Sequence, residues 1–292
     1  MPSSPFLRLW PLQLLWLTTA LALSTAAADA LQGRSAGLTI LVTAVGWIGW
    51  TVALVAMLLP RTGSLTVVRA LVPGAVVGAG AAASADGAGP VAVAAVALSL
   101  GALIVSLLPW TTDTFVDGSS YGTERRLALR TPLGVAVLAV ATWVVVAIGA
   151  TAGPLLLAAG RWLPGAAALV AGWPLAALGV RSLHQLSRRW LVLVPTGLVL
   201  HDPLTMPEPQ LFLRQTMASL GAAESEASGD DTEDLTAGAA GLVLALELTE
   251  PVELLVRTGR DTTLRPVRRV LFSPARPQVL LREGTARRLP VG

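Results

Sequence analysis

Six long apolar segments constrain this chain more than any other feature. They cover about 9–28, 38–59, 65–85, 90–109, 133–153 and 163–183. A helix of roughly 20 apolar residues crosses the hydrocarbon core of a bilayer, and a backbone polar group cannot stay unpaired there. Only 13% of the 292 residues are charged, against ~25% in soluble domains. We therefore expect six transmembrane helices, and we exclude an ordinary soluble enzyme and a nucleic-acid-binding protein.

The placement of arginine predicts the orientation of these helices. All 21 basic residues are arginine. If the N-terminus is cytoplasmic, only Arg34 and Arg161 lie outside. The inside set is larger and contains Arg8, Arg61, Arg69, Arg125, Arg126, Arg130, Arg181, Arg188 and Arg189. Because basic residues favour the cytoplasmic side, the sequence predicts a multi-pass plasma-membrane protein with both termini in the cytoplasm.

The first and third segments differ from the other four. Arg8, an apolar stretch and the alanines at 26–28 also resemble a signal peptide with an A-x-A cleavage site. The apolar stretch is longer than usual for such a peptide, which favours a membrane span, but cleavage of residues 1–28 stays open. The third segment contains Arg69, and its Gly74 and Gly78 offer a small-residue face for close helix packing.

The composition changes at Trp190, where β-strand patterns replace the apolar segments. Strands are predicted at 190–194, 198–201, 210–214, 242–248, 252–257 and 267–272, followed by a helix at 277–289. Residues 222–236 contain six carboxylates and no basic residue, which indicates a disordered acidic loop. We therefore predict a six-helix transmembrane domain over 1–189 and a small β-rich cytoplasmic domain over 190–292.

The end of this second domain is strongly basic, with nine arginines between residues 257 and 288. Three interpretations are open. The arginines solvate the surface, they fold back on the acidic loop, or they contact the anionic inner leaflet or a protein partner. The candidate lipid or partner contacts are Arg265, Arg268, Arg269, Arg287 and Arg288.

The most polar stretch of the first domain is residues 111–132. Its residue types fit the sequence patterns of one catalytic motif and one calcium-binding motif. Residues 118–122, GSSYG, fit the G-x-S-x-G pattern, but that motif works on a strand-to-helix turn with a histidine and an acid. Asp113, Asp117, Gly118 and Glu124 have the spacing of a calcium-binding EF loop. Position three of that loop is Phe115, which cannot bind a metal ion.

A folded loop at the cytoplasmic membrane boundary explains the same residues better, because its carboxylates can pair with its arginines. Loops rich in polar residues often carry function. The candidate functional residues are Asp117, Tyr121, Glu124, Arg125 and Arg126. His184 and His201 lack metal-ligand spacing, and no glycine-rich phosphate loop follows a strand, so we predict no cofactor.

Two blocks of sequence carry a resemblance to a known group. FVDGSSYGTERRLALRTPLG (115–134) and RSLHQLSRRWLVLVPTGLVLHDP (181–203) resemble a group of uncharacterised actinobacterial multi-pass membrane proteins. The resemblance implies a plasma-membrane location and a cytoplasmic tail similar to a pleckstrin-homology (PH) domain. It implies no activity.

Two classes of function remain. The first is a non-catalytic accessory or scaffold protein whose cytoplasmic domain engages a partner or the inner leaflet. The alternative is a small-solute transporter or permease, which usually has ionisable groups and broken helices near the membrane midplane. Arg69 is the one charge inside a predicted span, and Pro73, Pro164 and Pro174 keep transport open. We expect the accessory function.

Overall fold

The computed structural model describes residues 5–85, 88–223, 229, 231–259 and 261–292. The chain divides into two compact units, and each contains separate stretches of sequence. The first unit comprises residues 1–118 and 139–184, and the second comprises 119–138 and 185–292. The predicted boundary at 189 had assigned residues 119–138 to the transmembrane domain. Instead, they group with the C-terminal residues.

The predicted transmembrane bundle is confirmed, since six helices among the described residues are long and apolar enough to cross a membrane. They are α2 (Trp10–Ala30), α3 (Ala36–Leu58), α4 (Thr62–Ala85), α5 (Pro90–Leu107), α7 (Leu133–Ala158) and α8 (Trp162–Leu186). A single turn, α1 (Pro5–Arg8), precedes them, and a short helix, α6 (Pro109–Asp117), follows α5. Helix α2 packs on α3, α4 and α5, as a membrane span of the bundle should.

Polar contacts gather at one end of the bundle. They are Gln13 Nε2 to the Met57 carbonyl oxygen (3.2 Å), Thr66 Oγ1 to His184 Nδ1 (2.9 Å) and Arg69 Nη2 to Thr112 Oγ1 (2.9 Å). At the same end, an Arg8 guanidinium nitrogen lies 4.0 Å from a carboxylate oxygen of Asp117. These side chains belong to helix ends that were all predicted to lie on one side of the membrane, so the contacts agree with the predicted alternation of the spans.

Glycines bring α7 and α8 into backbone contact. A Cβ atom added to Gly149 would lie 2.5 Å from the carbonyl oxygen of Gly172. One turn later, a Cβ atom at Gly153 would lie 2.6 Å from Leu169 Cγ. In contrast, no described residue lies within 4 Å of the Cβ positions of Gly74 and Gly78, so the close helix packing expected at these two glycines is not observed.

In the part of the second unit that the structure describes, the strands form two four-stranded sheets. The first sheet has the order β1-β2-β3-β4 and is antiparallel throughout. Its strands are β1 (Arg125–Ala128), β2 (Trp190–Val194), β3 (Gly197–His201) and β4 (Gln210–Leu213). A 3₁₀ turn over Arg214–Thr216 then leads to the second sheet.

The second sheet has the order β5-β7-β8-β6 and is closed by a C-terminal helix. Its elements are β5 (Met217–Ala222), β6 (Thr232–Asp234), β7 (Leu244–Thr258), β8 (Asp261–Phe272) and the helix α9 (Pro277–Ala286). Strand β7 covers two predicted strands, which join across a register shift between Glu247 and Val252. Pro251 lies in this stretch, where its missing N–H does not interrupt the regular ladder.

Part of the predicted acidic loop is ordered. Residues 224–228 and 230 lie outside the described residues, but Thr232–Asp234 forms β6 and pairs in parallel with residues 269–271 of β8. Leu235 is only 2% exposed and belongs to the core of this unit. Backbone pairing and the burial of Leu235 therefore order residues 232–235, although the composition of this segment favours disorder.

Candidate functional site

The polar stretch after α6 provides the first strand of the β-rich unit. Arg126 and Leu127 of β1 lie opposite Val192 and Leu191 of β2. Leu127 and Leu129 are buried in the same core as the leucines of β2 and β3. Beyond the strand, the Arg130 N–H donates to the Ser273 carbonyl at 2.8 Å. The segment is thus an integral part of the β-rich unit rather than a loop of the membrane unit.

The five candidate residues of this stretch are divided between helix α6, the turn that follows it and strand β1. Asp117 is the last residue of α6, whereas Tyr121 is 80% exposed. The Glu124 carboxylate accepts a hydrogen bond from the Tyr121 N–H (3.4 Å) and lies 3.5 Å from the Arg126 guanidinium. Arg125 and Arg126 begin β1. The turn at 121–126 is therefore stabilised by its own charges.

Neither letter-matched motif has the geometry that its chemistry requires. Asp113 and Asp117 lie on helix α6, and Phe115 between them is fully buried, so this segment is not a calcium-binding loop. Gly118 ends that helix where a side chain would collide with the Pro60 carbonyl. A nucleophile elbow needs a strand before the serine and a helix after it. Here helix α6 precedes the serines and strand β1 follows them, which is the reverse order.

An aromatic stack covers one part of the first sheet. The Arg126 guanidinium carbon lies 5.9 Å from the Trp190 ring centroid, and the Trp190 and His201 rings are 4.8 Å apart. Burial lowers the pKa of His201, the charges of Arg188 and Arg126 lower it further, and Asp202 opposes them. Across the described ranges, no three His, Cys, Asp or Glu residues are grouped so as to hold a metal ion.

A buried ion pair joins three segments of the β-rich unit. Arg189 donates to both carboxylate oxygens of Asp202, at 2.8 Å from Nε and 2.7 Å from Nη2. Its third nitrogen donates to the Arg130 carbonyl at 3.0 Å, and Asp202 also accepts the Leu204 N–H at 3.1 Å. Both side chains are almost completely buried. This fork-to-fork geometry fixes residue 130 against β2 and β3, which is a structural role.

The basic candidates of the C-terminal region separate into two groups. On β8, Arg265 lies 3.4 Å from Glu233 of β6, and the backbone N–H groups of Arg268 and Arg269 donate to the Asp231 carbonyl. The interpretation in which arginines fold back on the acidic segment is therefore correct for Arg265. The Arg268 residue is exposed, and Arg269 is half-buried.

Arg287 and Arg288 form the second group, which lies at an open surface cavity of about 330 Å³. The cavity is lined by Thr123, Pro195, Arg214, Ala286, Arg287 and Arg288. It therefore brings together the turn before β1, the β2–β3 turn, the 3₁₀ turn after β4 and the end of α9. Sequence reasoning missed Arg214, because nothing in its local pattern indicates that it meets residues more than 70 positions later.

Comparison of the chain with protein-family models, with curated proteins and with solved structures finds no match. The membrane helices and the geometry of the β-rich unit are therefore the basis for any inference about function.

Proposed function

We propose that this chain is an accessory or scaffold protein of the plasma membrane with both termini in the cytoplasm. Its β-rich unit would work at the inner leaflet, where it contacts anionic lipid or a protein partner. The bundle itself is a membrane-spanning structure. The arginine distribution supports the orientation, because nine basic residues lie at the ends assigned to the cytoplasm and two at the other ends.

The observation that carries the proposal is the position of β1 in the chain. Residues 129–132 separate β1 from α7, and residues 187–189 separate α8 from β2. A few residues span at most ~3.3–3.6 Å each. The β-rich unit is thus attached to two different membrane helices by short connections, which supports a domain confined to the membrane surface rather than a free tail.

Exposed arginines supply the contact surface in this proposal. Arg268 and Arg288 are exposed, and the side chain of Arg287 is about one quarter exposed. Arg265 already has Glu233 as a partner, so its contribution to lipid binding is smaller. Near an anionic leaflet, a basic residue contributes ~1 kcal/mol. The two sheets with a closing helix also support the predicted PH-like architecture, and the actinobacterial group remains a prediction.

No specific observation favours transport. Helices α4 and α8 continue through Pro73 and Pro174 without interruption, although broken helices are typical of transporter binding sites. Arg69 contacts Thr112 at the polar end of the bundle, two turns into α4, rather than at the midplane.

Hydrogen exchange on the full-length protein tests the proposed membrane contact. The protein is reconstituted in nanodiscs of phosphatidylcholine, with or without phosphatidylglycerol. We expect slower exchange of amides around Arg268 and around 284–289 in the anionic discs only. In a variant with R268Q and R288Q, this difference should shrink, while R257Q on the exposed part of β7 should leave it unchanged. Identical exchange in both lipids would contradict the lipid contact.

A further inference from the structure

The arginine-lined cavity has an arrangement of charge that the proposed membrane contact does not require. Of its three arginines, Arg287 is neutralised locally, since Nη1 lies 2.6 Å from a carboxylate oxygen of Glu283. Arg214 and Arg288 have no carboxylate partner within the described ranges. The cavity therefore has two uncompensated positive charges and one that is paired.

The paired arginine is held in a fixed orientation. Its second terminal nitrogen, Nη2, donates to the Thr123 carbonyl at 3.1 Å, while Glu283 fixes Nη1. Two acceptors from different segments thus determine where the guanidinium plane lies. An arginine that is already immobilised loses less side-chain entropy when it binds an anion.

The backbone at Arg288 is also unusual. Its φ is +58°, in the left-handed region that residues with a side chain rarely adopt. The chain turns here at the end of α9, where the Leu289 N–H donates to the Gly284 carbonyl at 3.0 Å. Glycine is the usual residue at such a helix end. An exposed arginine in this position carries conformational strain, and strained residues are enriched at binding sites.

We propose that this cavity binds a phosphate monoester group. Two uncompensated guanidinium groups match the two negative charges of such a group, and planar arginine forks suit its oxygens. A volume of about 330 Å³ accommodates a lipid headgroup or a small phosphorylated metabolite. The lipid source rests on the proposed function, since it requires the β-rich unit at the inner leaflet. The soluble source does not.

Calorimetric titration of inorganic phosphate into the full-length protein in phosphatidylcholine nanodiscs tests the cavity itself. We expect saturable binding at a pH where phosphate is a dianion. R214Q and R288Q should each weaken it about tenfold, from the loss of a charged hydrogen bond. R282Q is the matched control, because Arg282 is exposed on the same helix α9 but does not line the cavity. The phosphate affinity of the R282Q variant should stay within about twofold of that of the original chain.

The second arm distinguishes the two sources of phosphate. Nanodiscs containing phosphatidic acid, a phosphate monoester lipid, should protect the amides at 214–217 if the ligand is a headgroup, and phosphatidylglycerol, a diester, should not. Phosphate binding without this protection supports a soluble phosphorylated ligand and excludes the headgroup as the occupant of the cavity. Absence of phosphate binding, or equal weakening by R282Q, overturns the cavity proposal. Protection by phosphatidylglycerol would then still support the general membrane contact.

Discussion

Trp16 and Trp50 exchange hydrogen bonds between α2 and α3. The Trp16 indole N–H donates to the Trp50 carbonyl at 3.0 Å, and the Trp50 indole N–H donates to the Trp16 carbonyl at 3.0 Å. Trp16 is buried, and both indole donors are satisfied by backbone oxygens of the facing helix. In a bilayer, burial of apolar side chains does not favour helix–helix contact over helix–lipid contact, because lipid tails are equally apolar. Hydrogen bonds between helices therefore help to specify which helices pair.

Replacing Trp16 with phenylalanine should destabilise the bundle. W16F removes one donor and part of the buried ring, and we expect a loss of about 1 kcal/mol in the free energy of unfolding from the hydrogen bond alone. Thermal unfolding of the full-length protein in detergent measures it. W10F is the control, because Trp10 lies on the same helix but is 61% exposed. Equal stability of the two variants would contradict the reciprocal contact.

The glycine contact between α7 and α8 gives a second prediction. In G149A the new methyl group would lie 2.5 Å from a backbone oxygen of Gly172, so the helices must move apart. Overpacking of this kind costs about 1–3 kcal/mol. G74A places the same methyl group where nothing lies within 4 Å. We expect a lower melting temperature for G149A than for G74A, and the opposite order would show that the two helices do not touch there.

The buried ion pair predicts that a small change in the Asp202 side chain causes a large loss of stability. D202N keeps the size of the side chain but leaves Arg189 as an unpaired buried charge, which costs about 3–5 kcal/mol. Hydrogen exchange should show faster exchange in β2 and β3, while the amides of α2 to α5 keep their protection. D261N at the exposed start of β8 should leave both regions unchanged. Similar exchange in the two variants would mean that Arg189 finds another partner.

Cysteine labelling tests the orientation, and it is straightforward because the chain contains no cysteine. A membrane-impermeant maleimide should label R34C in intact cells and should label Y121C only in inverted membrane vesicles. Arg34 lies in the short connection between α2 and α3, and Tyr121 is exposed in the turn before β1. The reverse labelling pattern would place the β-rich unit on the outside.

The six spans could be predicted from the lengths of their apolar segments, because each segment can satisfy its backbone hydrogen bonds in lipid by forming a helix. Strands β2, β3 and β4 followed from their β-branched and aromatic pattern. Strands β1, β5 and β6 did not, because Arg125–Ala128, Met217–Ala222 and Thr232–Asp234 have little strand propensity and are held by pairing with distant residues. The arginine cavity was missed for the same reason, since it depends on contacts between four separate segments.

The central claim is that the segment between helices α6 and α7 completes the β-rich unit. A disulfide test in native membranes addresses it most directly, because cross-strand neighbours are close enough to be linked with small adjustment. Arg126 lies opposite Val192, so the pair R126C/V192C should form a disulfide under mild oxidation. The pair R126C/L193C should not, because successive side chains point to opposite faces of a sheet. Mass spectrometry identifies the linked peptides: the predicted result is a link in the first pair alone, and the contradicting result is no link in either pair or equal links in both.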